Sequence, residues 1–286
     1  MSVAAERQGN AATGLALRAA NTAAPHPVPT VRLLTCDRLK KVYGSGPPAL
    51  DHVSFTMDTP QFTVLLGSSG SGKTTLLRAI AGLVSLDDGR IEIAGTALTR
   101  ESLAGLRRRI GMVHQEFGLA ERLTAAQNVM AGAAVHLSWS RLLFQAYPRD
   151  VRRRACALLD EVGLTEVQAN RKARDISGGQ RQRVGIARAL IGKPQLILAD
   201  EPVANLDPQT AVGILALMRE TVTAHGAGVL CSLHQTDLAC HFADRIIGLQ
   251  AGRLVFDGPP ADLTPDVVAA LFANPGEASV PAPGAA

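Results

Sequence analysis

The period of the hydrophobic pattern changes repeatedly along this chain, and each change marks an element. Val31 to Tyr43 and Ala49 to Met57 alternate apolar and polar positions as half-buried strands do, with a Gly44-Ser-Gly-Pro-Pro48 turn between them. Gln61-Phe-Thr-Val-Leu-Leu66 reads as a short apolar strand, Lys73 to Leu83 as a helix, Gly89 to Gly95 as a strand entered through Asp87-Asp-Gly89, and Ile110 to His114 as another strand. From about Thr124 to Asp175 the spacing is helical almost throughout, punctuated by Pro148 and Gly163. Strand character returns at Leu196 to Ala199. A helix from about Pro208 to His225, the strand Gly228 to Leu233, a helix from Asp237 to Ala243 and two strands around Ala251-Gly252 follow. Strands alternating with helices predict an α/β fold with a mostly parallel sheet covered on both faces, and the helical block, residues 116–180 or so, reads as an inserted subdomain. No motif occurs twice, so no internal repeat is expected.

The two ends break the pattern. Residues 1–30 are Ala and Pro rich and are expected to be a disordered leader; Arg7 and Arg18 bracket too few large apolar residues for a signal peptide. Residues 273–286 are expected to be a disordered tail, which leaves 31–272 as the folded domain.

Composition narrows the function classes. At 286 residues and 47% hydrophobic the chain has ample material for a core, yet runs such as Val64-Leu65-Leu66 are interrupted far short of the roughly 20 residues a membrane helix needs. Any membrane span would come from other chains. The four cysteines show no metal-ligand spacing or disulfide framework, which fits a reducing cytoplasm. The net charge of +4 comes partly from Arg107-Arg-Arg109 and Arg152-Arg-Arg154, but both runs lie in segments of helical periodicity and read as charged outer faces. With 3% aromatics there is little for base stacking, and no nucleic-acid partner is expected.

Three stretches carry chemistry. Gly67-Ser68-Ser69-Gly70-Ser71-Gly72-Lys73-Thr74 fits GxxxxGK[ST] between a strand and a helix, the phosphate-binding loop of nucleoside triphosphatases. Backbone N–H groups from Ser69 to Thr74 are expected to cradle phosphates, Lys73 to neutralise the β and γ oxygens, and the Thr74 hydroxyl to ligate magnesium, with Thr75 completing the loop. Pro194-Gln-Leu-Ile-Leu-Ala-Asp-Glu-Pro202 is a buried strand ending in two carboxylates. Period two points Asp200 and Glu201 apart, so Asp200 is assigned to the metal shell and Glu201 to the attacking water. Third, Ser177, Gly178, Gly179 and Gln180 open an apolar-periodic helix running to Leu190, a second anion-attracting helix start. One nucleotide needs only one such site, so the spare clamp points to a second subunit.

This third stretch, Ile176-Ser-Gly-Gly-Gln, resembles the signature motif of ATP-binding cassette proteins, whose two cassettes close head to tail over ATP. The resemblance covers Leu34 to Phe272 and implies a nucleoside triphosphatase fold with an added antiparallel β subdomain, ATP and Mg2+ as ligands, and ATP hydrolysis. It also implies roles that spacing alone does not give. Tyr43 matches the aromatic that stacks on adenine, and Gln115 the Q-loop amide at the metal shell and attacking water. Asp207 of Asn205-Leu-Asp207 matches the D-loop, although Asp207 before Pro208 also reads as a helix cap; His234 matches the switch histidine at the γ-phosphate.

A compact helical insert and a single cassette are similar to a transporter's ATPase subunit, a peripheral protein on the cytoplasmic face of the membrane. Such a subunit works as a pair of copies on integral membrane permease chains, with a substrate-binding protein outside as an indirect partner. His114-Gln-Glu-Phe-Gly-Leu and Ser232-Leu-His-Gln-Thr-Asp-Leu238 resemble the phosphonate importer branch, which implies uptake of phosphonates, phosphite or phosphate esters. Trp139, Leu142, Leu143, Phe144 and Tyr147 are either core or a groove for the permease. Asn205 departs from that branch and resembles lipoprotein-release and macrolide-export cassettes, which keeps an export role as the alternative. A non-enzymatic cassette regulator is the third reading, and intact Glu201 and His234 argue against it.

Overall fold

A computed structural model describes residues 32–115, 118–134 and 147–273. Strands β1 (Leu34–Val42) and β2 (Pro48–Met57) pair antiparallel as their alternation predicts, Leu34 opposite Met57 and Lys41 opposite Leu50. β3 (Phe62–Leu66) is buried at every position, and helix α1 (Lys73–Ile80) follows it. β4 (Asp88–Ile93) joins β1, a two-residue β5 (Thr96–Ala97) joins β4, and α2 (Leu103–Arg107) leads into β6 (Ile110–Val113). The helical stretch contains α3 (Ala125–Ala131), α4 (Arg149–Glu161), α5 (Glu166–Ala169) and α6 (Gly178–Leu190). Then come β7 (Leu196–Ala199), α7 (Pro208–Ala224), β8 (Gly228–Leu233), α8 (Thr236–Phe242), β9 (Arg245–Gln250), β10 (Arg253–Gly258) and α9 (Pro265–Phe272).

Two sheets result. One is antiparallel with order β2-β1-β4-β5; the other has order β10-β9-β3-β8-β7-β6 and is parallel except for the β9–β10 hairpin. The alternation of a strand sends side chains to opposite faces, and both faces of the parallel sheet are covered. Phe62, Val64 and Leu66 of β3 enter a core shared with α3, α4, α6 and α7, while Leu65 enters a second core shared with α1, β1 and β2. The α/β class, the mostly parallel sheet and the antiparallel β subdomain are therefore as the sequence suggests. Among the described residues no helix is long and apolar enough to cross a membrane.

The helical stretch departs from a plain reading in one respect. Arg154, expected on a solvated face, donates from Nε to the Ile191 carbonyl (3.0 Å) and from Nη2 to the Leu190 carbonyl (3.2 Å). These are carbonyls at the end of α6, where a helix has unsatisfied acceptors and favours a cation. Asn128, buried in α3, works in a similar way on the loop preceding it. Its Oδ1 accepts from the Ala120 N–H (2.8 Å), and its Nδ2 donates to the carbonyls of Ala120 (3.1 Å) and Thr124 (3.0 Å). Asn128→Ala strips these partners from a largely exposed loop, where water can replace them, and is expected to destabilise the fold by about 0.5–1.5 kcal/mol for each bond lost. Thermal denaturation would read this as a fall of about 2–4 °C per kcal/mol; an unchanged melting temperature would show that the loop holds itself.

Trp139, Leu142, Leu143 and Phe144 lie outside the described residues, as do residues 1–31 and 274–286, so the groove and the two tails have no structural description. Tyr147 is half-buried, and its carbonyl accepts from Arg152 Nε (2.9 Å).

Candidate functional site

Three neighbouring parallel strands, β3, β8 and β7, end at one edge of the sheet. Leu66 lies opposite Leu233, and Ala199 opposite Cys231, so the Gly67 loop, His234 and the Asp200-Glu201 pair leave the sheet side by side. The carboxyl ends of parallel strands are where open α/β sheets bind ligands.

The Gly67 loop requires glycine where the backbone is left-handed and closely packed. At Gly67 (φ +152°) a Cβ would lie 2.1 Å from the Leu249 carbonyl oxygen, and at Gly72 (φ +106°) 2.4 Å from that of Ala49. No side chain fits there. Ser71 is buried; its N–H donates to the Ser68 carbonyl (3.2 Å), and its own carbonyl accepts from Gly252 N–H (3.0 Å). The Ser71 N–H, expected to face phosphate, is thus engaged within the loop. Lys73 is only 4% exposed and donates to the carbonyls of Gly67 (2.8 Å) and Ser68 (2.9 Å), which turns the ammonium inward across the loop. Burial lowers the Lys73 pKa, against the opposing pull of the Glu201 and Asp200 carboxylates.

Beside the loop is a cleft of about 340 Å³ lined by Tyr43, Ala49, Ser69, Gly70, Gly72, Lys73, Thr74, Thr75 and Glu201. Tyr43 is 52% exposed at this cleft, and the Lys41 ammonium lies 5.5 Å from its ring centroid. Asp87 anchors Lys41 (2.9 Å) and also accepts from the Val42 N–H (2.6 Å), bonds that lower its pKa and fix the approach to Tyr43. An exposed aromatic at the mouth of a cleft lined by the Gly67 loop offers a flat surface to a base.

The two carboxylates lie just beyond β7 and have different side-chain partners. Asp200 Oδ1 accepts from the hydroxyls of Thr74 (3.0 Å) and Ser232 (3.0 Å). Glu201 has φ +46°, a left-handed backbone that a non-glycine residue adopts at a cost of order 1–3 kcal/mol. Its N–H donates to Ser232 Oγ (2.9 Å), and its carboxylate is hydrogen-bonded to His234 Nε2. On the other side of the ring, Lys73 Nζ lies 3.4 Å from His234 Nδ1. A neutral imidazole carrying its proton on Nε2 satisfies both contacts, accepting from the lysine and donating to the glutamate. Lys73, Thr74, Asp200, Glu201 and His234 therefore form one polar cluster. Glu201 also borders a smaller hollow of about 150 Å³ lined with Val203, Ala204, His234 and Gln235.

Ser232 belongs to this cluster, although the stretch Ser232 to Leu238 that resembles the phosphonate branch gives it no role. Its only signal is a hydroxyl in the otherwise apolar, wholly buried run Gly228-Val-Leu-Cys-Ser-Leu233.

Other sequence-assigned residues stand apart. Gln115 is exposed in the turn after β6, and no bond joins it to the cluster among the described residues. Its strand is tied there through Asp200 N–H, which donates to the Val113 carbonyl (3.0 Å). Ser177, Gly178, Gly179 and Gln180 open α6 and do not line the cleft. Ser177 Oγ accepts from the Gln180 N–H (3.3 Å), while the Ser177 N–H donates to Gln180 Oε1 (3.0 Å), a reciprocal cap. A Cβ on Gly179 would stand 3.0 Å from Thr210 Cγ2, so the start of α6 abuts the start of α7. Asp207 caps α7 by accepting from the Thr210 N–H (3.0 Å), and its bonds with Thr210 lower its pKa.

The arrangement is similar to known proteins. The sequence model of the ABC transporter family matches residues 50–204. A phosphonates import ATP-binding protein of Hyphomonas neptunium is 54% identical over 232 residues, which cover 81% of this chain and 89% of that one. A phosphate-import ATP-binding protein of Mycolicibacterium smegmatis is 45% identical over 237 residues, covering 82% and 90%. Among solved structures, a dimeric ATP-binding cassette in a post-hydrolysis state with ADP and phosphate bound superposes with a TM-score of 0.69 at 33% identity, covering 79% of this chain and 98% of that one.

Proposed function

Because this chain belongs to the ABC transporter family and is an ATP-hydrolysing importer subunit, we propose that it energises uptake of phosphonates through separate permease chains, working as a head-to-tail pair on the cytoplasmic face of the membrane. The observation that carries the catalytic part is the ring Lys73–His234–Glu201–Ser232–Asp200–Thr74 at the ends of three adjacent strands. The 31–272 region is taken as the catalytic domain, with residues 116–180 as its helical insert.

In this reading ATP lies in the Tyr43 cleft with its phosphates along the Gly67 loop. Lys73 turns from the loop carbonyls toward the β and γ oxygens, an exchange of one set of oxygen acceptors for another. The hydroxyl and carboxylate oxygens of Thr74 and Asp200 suit a hard divalent cation, and these residues, with Gln115, would hold Mg2+. Bound there, magnesium supplies neutralisation of phosphate charge. Glu201 orients the attacking water and takes its proton, while His234 fixes the Glu201 carboxylate through Nε2 and sits where the γ-phosphate ends. Ser177 to Gln180 of the second copy cover that phosphate, and Asp207 lies along the interface.

The substrate assignment rests on the Hyphomonas relative. The phosphate-import name of the Mycolicibacterium relative favours a second reading, inorganic phosphate. Deleting the gene is expected to abolish growth on an alkylphosphonate as sole phosphorus source while leaving growth on phosphate intact. Normal growth on the phosphonate, with a defect at limiting phosphate, would replace the first reading by the second.

A further inference from the structure

We propose that Ser232 is a positioning residue that holds both carboxylates at the end of β7 in their working arrangement, Asp200 through its side chain and Glu201 through its backbone. This rests on the roles given above to Asp200 and Glu201.

The side chain is 0% exposed in a strand whose other positions favour apolar groups, and a hydroxyl is costly there unless it is bonded. Both of its capacities are used, and on consecutive residues. It donates to Asp200 Oδ1 (3.0 Å) and accepts from Glu201 N–H (2.9 Å). Thr74 donates to the same Oδ1 (3.0 Å), so hydroxyls from β8 and from the start of α1 converge on one carboxylate oxygen and set the plane of the group. A freely rotating carboxylate would present its oxygens to a cation in many orientations; this one presents few.

The hold on Glu201 is equally specific. With φ +46° its backbone turns sharply out of β7, and the bond from its N–H to the neighbouring strand anchors that turn. Ser232 near the end of β8 and His234 just beyond that strand then grip Glu201 at its two ends, the serine at the amide and the histidine at the carboxylate. Without the hydroxyl, the amide and Asp200 Oδ1 each lose a partner, and the corner is free to relax toward an ordinary backbone.

The test is Ser232→Ala in the full chain, with Mg2+ as the probe. Half-saturating Mg2+ for ATP hydrolysis is expected to rise by about 10–100-fold, as when a residue behind a metal ligand is removed. At saturating Mg2+, kcat is expected to fall with little change in KM for ATP. Binding of a fluorescent ATP analogue is expected to match wild type in EDTA and to be weakened when Mg2+ is present. Ser232→Cys, which keeps a weak donor in a somewhat larger side chain, is expected to shift in the same direction and covers the case in which the alanine variant does not fold. Val229→Ala, a cavity in the same buried strand, provides the comparison: it is expected to lower the melting temperature without moving the Mg2+ dependence.

A Ser232→Ala protein that melts lower but keeps wild-type Mg2+ dependence and kcat would overturn the proposal. Asp200→Asn separates the two levels. If it leaves the Mg2+ dependence unchanged, the reading of Asp200 itself is wrong; if it shifts that dependence while Ser232→Ala does not, only the serine's role is lost.

Discussion

Glu201→Gln is expected to bind ATP as the parent chain does and to hydrolyse it about 10²–10⁴-fold more slowly, the range that loss of a general base produces. The substitution exchanges one carboxylate oxygen for an amide and leaves the volume unchanged, so the φ +46° corner and the N–H bond to Ser232 survive. What changes is basicity. A neutral amide does not take a proton from water, while its remaining oxygen still accepts from His234 Nε2, so the imidazole keeps its place. The Lys73 loop and Tyr43 are untouched, and in the cleft between them only the Glu201 side chain changes, at equal volume. With ATP present and hydrolysis arrested, closed pairs are expected to accumulate and to elute as dimers from a sizing column. Turnover equal to wild type would assign the base to another group, and His234, whose Nδ1 faces Lys73, would be the next to replace.

The parts of this site that were legible in the sequence are those whose partners lie a few residues away. The Gly67 loop reads directly because the positive φ at Gly67 and Gly72 is a local demand of the loop, although the Leu249 and Ala49 carbonyls that crowd them are remote, and the helix start at Ser177 reads because its cap partner Gln180 is three residues on. Ser232 was not legible because its partners are 31 and 32 residues away, on another strand, and period-two burial says only that the position is inside. Arg154 was misjudged for a related reason: helical periodicity placed it on an outer face, but its acceptors belong to another helix that ends beside it. At the level of elements, β5 is two residues long and has no period to detect. Helix α9 has a readable start, Thr264 as cap with Pro265 in the first turn, but its eight residues are too few for a helical period to stand out. The inserted groove expected at Trp139 to Phe144 lies outside the described residues and stays an expectation.

The second large effect concerns the residues that the cleft does not contain. Ser177→Arg is expected to leave ATP binding by the separate chain unchanged and to lower turnover by about two orders of magnitude, the loss typical of removing a donor to developing charge. Ser177 is at the helix start, where its hydroxyl caps the Gln180 N–H, and the first turn of α6 holds no acidic residue to compete with an anion. Arginine removes the cap and sets a long cation at the positive end of the helix. The exposed chain itself loses only about 0.5–2 kcal/mol by this, too little to unfold it. Ser177→Ala separates loss of the hydroxyl from the added bulk and charge of arginine. The decisive comparison mixes Ser177→Arg chains with Glu201→Gln chains, each inactive alone. If the clamp acts across the pair, a mixed dimer holds one composite site with native Glu201 and native Ser177, and turnover returns. If the clamp served its own chain, every site would carry one defect and mixing would restore nothing.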